Sequence, residues 1–188
     1  MRLAIFGGTF DPIHEAHLAV AREAAGRFRL ERVLFIPAAH PPHKAGATQA
    51  PYLDRLRMTE LACQCDPRFE ASPLEAGTLR SYSIDTIEKL RASLAPEDEL
   101  FFIVGADAFS EIRTWRRWRD VARSVRFVVV SRPGHVYDTP PEAVIERLDT
   151  VEMAVSSSMI RAALARGERP ASVPQCVLEY ILSHHLYV

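Results

Sequence analysis

Polar and apolar residues alternate along this chain in two kinds of block. The first kind is a short continuous apolar run: Leu3–Phe6, VLFIP at 33–37, LFFIV at 100–104 and RFVVV at 126–130. Such runs, rich in β-branched and aromatic side chains, predict strands covered on both faces. FEAS at 69–72 is a weaker one. In the second kind, apolar residues recur every three or four positions. Leu18, Ala21, Ala25 and Phe28 predict a helix over 15–28; Leu53, Leu56, Leu61 and Ala62 predict one over 52–63. SIDTIEKLRASL predicts a helix over 83–94 with Ser83 as its N-cap. Further helices are expected over 141–148 and 157–166, and a short strand over 150–154. Pro174 is expected to open a last helix running to about residue 183. The segment 38–50, AAHPPHKAGATQA, has no periodicity and reads as a loop.

Strands that alternate with helices define an α/β class. The expected architecture is a Rossmann-like, mainly parallel sheet with helices on both faces and a small C-terminal helical portion. The 188 residues suit one domain, 1–188, with 156–188 as a C-terminal helical subdomain. Open sheets of this kind bind ligands beyond the carboxyl ends of their strands. Gly7–Thr9, the 37–44 loop, Gly105–Asp107 and Ser131-Arg132 all fall there, and they include most of the unusual polar residues.

Composition narrows the function classes. The formal net charge is -1, so no general basic field attracts nucleic acid and no acidic excess marks a solvating tail. The local basic cluster RTWRRWR at 113–119 reads, taken alone, as a solvated helix face. Cys63, Cys65 and Cys176 have no zinc or redox spacing, which fits a reducing compartment. The apolar run in MRLAIFGG is too short for a signal peptide, and nothing reaches the ~18 apolar residues of a membrane span. The expectation is a cytoplasmic protein with no membrane or nucleic-acid partner; a homo-oligomer stays open.

The candidate chemistry starts at GGTFDPIHEAHL, residues 7–18. Gly7 and Gly8 permit a tight turn, and exposed N–H groups there suit an anion. Neither GxGxxG nor GxxxxGK[ST] is present, so the glycines alone do not carry a phosphate reading. Thr9 adds a hydroxyl. His14 and His17, three apart, share one helix face and can each donate to a phosphate oxygen. A zinc-protease helix needs its histidines four apart, which argues against that reading. Either histidine alone fits a surface cap. Both together, behind Gly-Gly-Thr and directly after a strand, point to a ligand.

This stretch resembles the (T/S)-x-x-H-x-G-H signature of the nucleotidyltransferase superfamily related to class I aminoacyl-tRNA synthetases. VSSSMIR at 155–161 resembles its second signature, I-S-S-T-x-I-R. More narrowly, nearly the whole chain is similar to bacterial nicotinate mononucleotide adenylyltransferases. PPHK at 41–44, SYS-x-x-T at 81–86, GAD at 105–107, TW at 114–115, SRPG at 131–134 and the VP…YI…LY ending carry that resemblance. Ala16 stands where a glycine is usual, Ser158 replaces a threonine, and His185 sits where a glycine often precedes Leu-Tyr.

The resemblance implies transfer of the adenylyl group of ATP to nicotinate mononucleotide, giving nicotinate adenine dinucleotide and pyrophosphate in NAD biosynthesis. It implies His14, His17 and Arg161 as catalytic residues. Gly7, Gly8, Thr9, Lys44, Gly105, Asp107, Ser156 and Arg161 are implied for ATP. Trp115 is implied to stack on the pyridine, with Tyr82, Ser83, Thr86 and Arg116 shaping that pocket. Magnesium (Mg2+) is expected to accompany ATP, held by phosphate and water, with no protein ligand named. The alternatives are another acceptor, nicotinamide mononucleotide or phosphopantetheine, or a silent nucleotide-binding module. SYS-x-x-T, GAD and TW argue against the other acceptors; the intact histidines and Arg161 argue against the silent module.

Overall fold

Within each strand the side chains alternate between two apolar cores, and this decides the layering. Leu3 and Ile5 point to one core and Ala4 to the other; Leu34 and Ile36 oppose Val33 and Phe35 in the same way. In the computed structural model, residues 1–40, 48–78, 80–134, 136–149 and 155–187 are described. The strands are β1 (Arg2–Gly8), β2 (Arg32–Pro37), β3 (Phe69–Ala71), β4 (Glu99–Gly105), β5 (Arg126–Ser131) and β6 (Val144–Asp149). They pair in the order β3-β2-β1-β4-β5-β6, with every pairing parallel.

The first core lies under α1 (Glu15–Arg27), α2 (Tyr52–Cys63), α6 (Ser157–Ala165) and α7 (Gln175–Ser183). The second lies under α3 (Ser83–Arg91), α4 (Ala106–Ser110) and α5 (Trp118–Ser124). The order reverses between β1 and β4. Consecutive connections leave on opposite faces there, which opens a crevice at the carboxyl ends of those two strands.

Two expectations are corrected. Residues 144–149 form the edge strand β6, paired with β5 from Val144 opposite Arg126 to Asp149 opposite Ser131, and not a helix over 141–148. Its Glu146, Arg147 and Asp149 read as helix-compatible, but they are the charges that keep an outer strand from pairing further. The 150–154 strand lies outside the described residues. Ser83 is the first helical residue of α3, and the cap is Tyr82, in extended backbone with no side-chain cap bond. The segment 106–124 also holds α4, a 3-10 turn at Ile112–Thr114 and α5, none of which the periodicity indicates.

α2 places its leucines unexpectedly. Leu53 is 73% exposed, while Arg55, Met58, Thr59 and Ala62 form the buried stripe. The reason is Arg55, whose guanidinium reaches across the carboxyl ends of β1 and β2.

Candidate active site

β1 ends in Gly7–Gly8, and the chain then folds Phe10 back beneath itself. Phe10 has φ 48, in the left-handed region, and is fully buried. A Cβ on Gly8 would lie 2.7 Å from the Phe10 ring. Gly8 is therefore required by this internal close approach. The Phe10 ring stands edge-on to His17, at 5.1 Å between centroids.

His14 caps α1 and His17 is the third helical residue. The His14 N–H donates to His17 Nδ1 at 3.2 Å, and the two rings stack with centroids 3.8 Å apart. An Nδ1 that accepts leaves the proton of a neutral His17 on Nε2. Burial lowers the His14 pKa from 6.5 to about 4, so this imidazole is neutral at physiological pH. Its Nδ1 is covered, with no hydrogen-bond partner among the described residues. The pair thus forms a stacked wall in which His14 is buried and neutral.

Two residues that sequence reasoning missed hold this loop. Asp11, 2% exposed, accepts from the Gln49 N–H (2.8 Å), the Ala50 N–H (3.1 Å) and the Tyr187 hydroxyl (2.7 Å). Burial and the bond to Asp11 raise the Tyr187 pKa, keeping the phenol a donor. Arg55 donates to the carbonyls of Thr9 (2.6 Å), Ala38 (2.8 Å) and Ala50 (3.2 Å). A charged fork satisfying carbonyls from two loops fixes this backbone more tightly than neutral bonds would. An aspartate within a turn motif and an arginine in a helix carry no sequence signal for this.

The start of α6 docks on the same loop. Ser156 caps α6 by accepting from the Met159 N–H at 3.3 Å, and Ser157 Oγ donates to the Pro12 carbonyl at 3.0 Å. Arg161 Nη1 donates to the Asp11 carbonyl at 2.8 Å. The fold thereby gathers Thr9, His14, His17, Ser156 and Arg161 around one loop, from opposite ends of the chain.

Across β1 lies a cavity of about 230 Å³, in the crevice between β1 and β4. Gly7, Gly8, Ser83, Thr86, Gly105 and Trp115 all line it. The Trp115 ring is half-buried and leans on Phe102 at 5.8 Å between centroids. Tyr82, Arg116 and Asp107 do not line this cavity. Arg116 lies over the Tyr82 ring at 4.8 Å and faces Asp85 at 3.6 Å, while Asp107 is exposed in the first turn of α4. Lys44, with His43 and the PPHK motif, lies outside the described residues. Among the described residues no group of three or more His, Cys, Asp or Glu is set to hold a metal.

The switch-point crevice with its histidine wall defines a nucleotide-binding α/β protein, and comparison with known proteins specifies which. Residues 5–163 match the family model described as cytidylyltransferase-like. A Solibacter usitatus protein named "Probable nicotinate-nucleotide adenylyltransferase" is 68% identical, with all of both chains covered. A protein of the same name from Thermus thermophilus is 43% identical, again over the whole of both. Among solved structures, the nicotinic acid mononucleotide adenylyltransferase of Plasmodium falciparum, complexed with NaAD, shares the fold. Its TM-score is 0.79 at 17% identity, covering 99% of this chain and 97% of that one. The chain belongs to the cytidylyltransferase-like nucleotidyltransferases and, within them, to the nicotinate-nucleotide adenylyltransferase family.

Proposed function

We propose that the protein transfers the adenylyl group of ATP to nicotinate mononucleotide, releasing nicotinate adenine dinucleotide and pyrophosphate. The observation that carries this reading is the continuity of two unlike regions. Phe6 lines the aromatic-walled cavity and stands edge-on to His17 of the stacked imidazole pair, at 6.0 Å between centroids.

The nucleophile is the 5′-phosphate of the acceptor, already an anion, so no general base is needed. The difficulty is to bring two anions together and to stabilise charge on the reacting phosphorus and the leaving pyrophosphate. His17 offers Nε2–H to the α-phosphate. His14, Thr9 and Lys44 assist along the triphosphate, with Arg161 and the start of α6 at its far end. Gly105 and Asp107 take the adenosine, the carboxylate accepting from ribose hydroxyls. Magnesium travels with ATP as part of the substrate.

The pyridine enters the cavity against Trp115, near Thr86, with Tyr82 and Arg116 at the rim. Its carboxylate meets the N–H groups that open α3 at Ser83, where no carbonyl earlier in the helix can accept them. Donors there favour a carboxylate over an amide, whose NH₂ would oppose them. The reaction is placed in the cytoplasm, in keeping with the free thiols of Cys63, Cys65 and Cys176. No helix among the described residues is long and apolar enough to cross a membrane.

The test is pyrophosphate release with Mg-ATP and, in parallel, nicotinate mononucleotide, nicotinamide mononucleotide and phosphopantetheine. Turnover with the first and little with the others is expected. Comparable turnover with the amide would overturn the carboxylate pocket, and turnover with phosphopantetheine alone would overturn the acceptor.

A further inference from the structure

The residues lining the cavity between β1 and β4 include one carboxylic acid, for which the proposed reaction has no role. Glu75 lines the cavity together with Phe102 and Trp115 and is only 9% exposed. Thr86 Oγ1 donates to Glu75 Oε1 at 3.0 Å. Glu75 Oε2 is fully covered and has no hydrogen-bond partner among the described residues. Burial, and then the neighbouring Glu75, raise the Tyr52 phenol pKa, but no bond joins the two side chains.

A covered carboxyl oxygen without a donor is unfavourable. The opposite requirement exists at the start of α3: the Asp85 and Thr86 N–H groups donate to the Tyr82 carbonyl, while those of Ser83 and Ile84 have no carbonyl earlier in the helix to accept them. Trp115 and Phe102 line the same cavity, their rings 5.8 Å apart between centroids. The walls are thus complementary to a flat ring that is itself cationic and carries an anionic substituent. A quaternary pyridinium bearing a carboxylate has that charge pattern, and an aromatic wall also favours a cationic ring.

We infer that Glu75 is a specificity-determining residue, the counter-charge to the ring of a pyridinium nucleotide, through which the cavity selects cationic rings over neutral rings of the same shape. Thr86 is a positioning residue that holds the carboxyl toward the cavity. The inference rests on the reading that this cavity takes the pyridine.

The experiment is equilibrium binding to wild type and Glu75→Gln of two ligands. One is nicotinate mononucleotide; the other is its neutral isostere, the 3-carboxyphenyl C-riboside 5′-phosphate. Glutamine keeps the size and still accepts from Thr86. Glu75→Gln is expected to weaken nicotinate mononucleotide about tenfold or more, the worth of one charge-assisted contact. Isostere binding should stay within about twofold, less than the weakest such contact would give. In turnover the loss should appear in KM with kcat retained. Equal weakening of both ligands would reduce Glu75 to a structural anchor, and no weakening of either would also overturn the inference. Should Glu75→Gln not fold, Thr86→Val is expected to lower the charged-to-neutral preference about threefold or more by releasing the carboxyl; an unchanged preference overturns the inference. Failure of the wild type to turn over nicotinate mononucleotide would instead count against the proposed function, whatever the two ligands show.

Discussion

Acid should destabilise this protein through His14, by an amount that follows from its burial. His14 is 5% exposed, and burial lowers its pKa from 6.5 to about 4. Above 6.5 the imidazole is neutral in the folded and unfolded chains alike, so it contributes no pH dependence. Between 6.5 and about 4 the unfolded chain binds a proton that the folded chain refuses. Stability then falls by about 1.4 kcal/mol per pH unit. The loss is about 2 kcal/mol near pH 5 and about 3 kcal/mol once the folded value is reached, against a total of roughly 5–15 kcal/mol for a domain. Urea unfolding of wild type and His14→Gln at about pH 7, 6 and 5, at constant ionic strength, isolates the contribution, because other titrating groups affect both proteins. Wild type should lose the additional 2 kcal/mol or so that the variant keeps. Parallel pH dependences would refute the buried, neutral His14 and the stacked wall built on it. Triphosphate bound at His14 favours its protonated form, so stabilisation by Mg-ATP should also grow as the pH falls.

Three further outcomes follow from the same geometry. His17→Ala should lower kcat by about two orders of magnitude while the fold survives; near-normal turnover would remove His17 from the reaction. Trp115→Ala should raise KM for the pyridine nucleotide by the roughly 1–3 kcal/mol of a stacking contact, about 5- to 150-fold, with kcat largely kept; an unchanged KM would return Trp115 to a packing role. Tyr187→Phe removes a bond to the buried Asp11 carboxylate, worth about 1.5–3 kcal/mol, and should lower the melting temperature by roughly 3–12 °C. A melting curve that does not move would show that the chain end is not holding the phosphate loop.

Central strands were legible because β1, β2, β4 and β5 are covered on both faces, which forces continuous apolar runs. β6 was not, because an edge strand is selected by the neighbour it pairs with, and its charges imitate a helix. The exposure of Leu53 and burial of Arg55 in α2 have a similar origin. The carbonyls that Arg55 satisfies belong to Thr9, Ala38 and Ala50, which converge only after folding. The histidine pair was readable because its spacing and its position after a strand are local facts. Asp11 and Glu75 were not, since each acquires its role from burial and from partners far along the chain. Gly8 is legible as a turn residue, but not the Phe10 ring that demands it, because that contact forms only after folding.

The central claim is direct transfer of an adenylyl group from ATP to the phosphate of nicotinate mononucleotide. It is tested most directly by following α-³²P-labelled ATP with both substrates and purified protein. The label should appear in nicotinate adenine dinucleotide in step with unlabelled pyrophosphate, and only when nicotinate mononucleotide is present. Label left in ATP, or released as free AMP without dinucleotide, would contradict it.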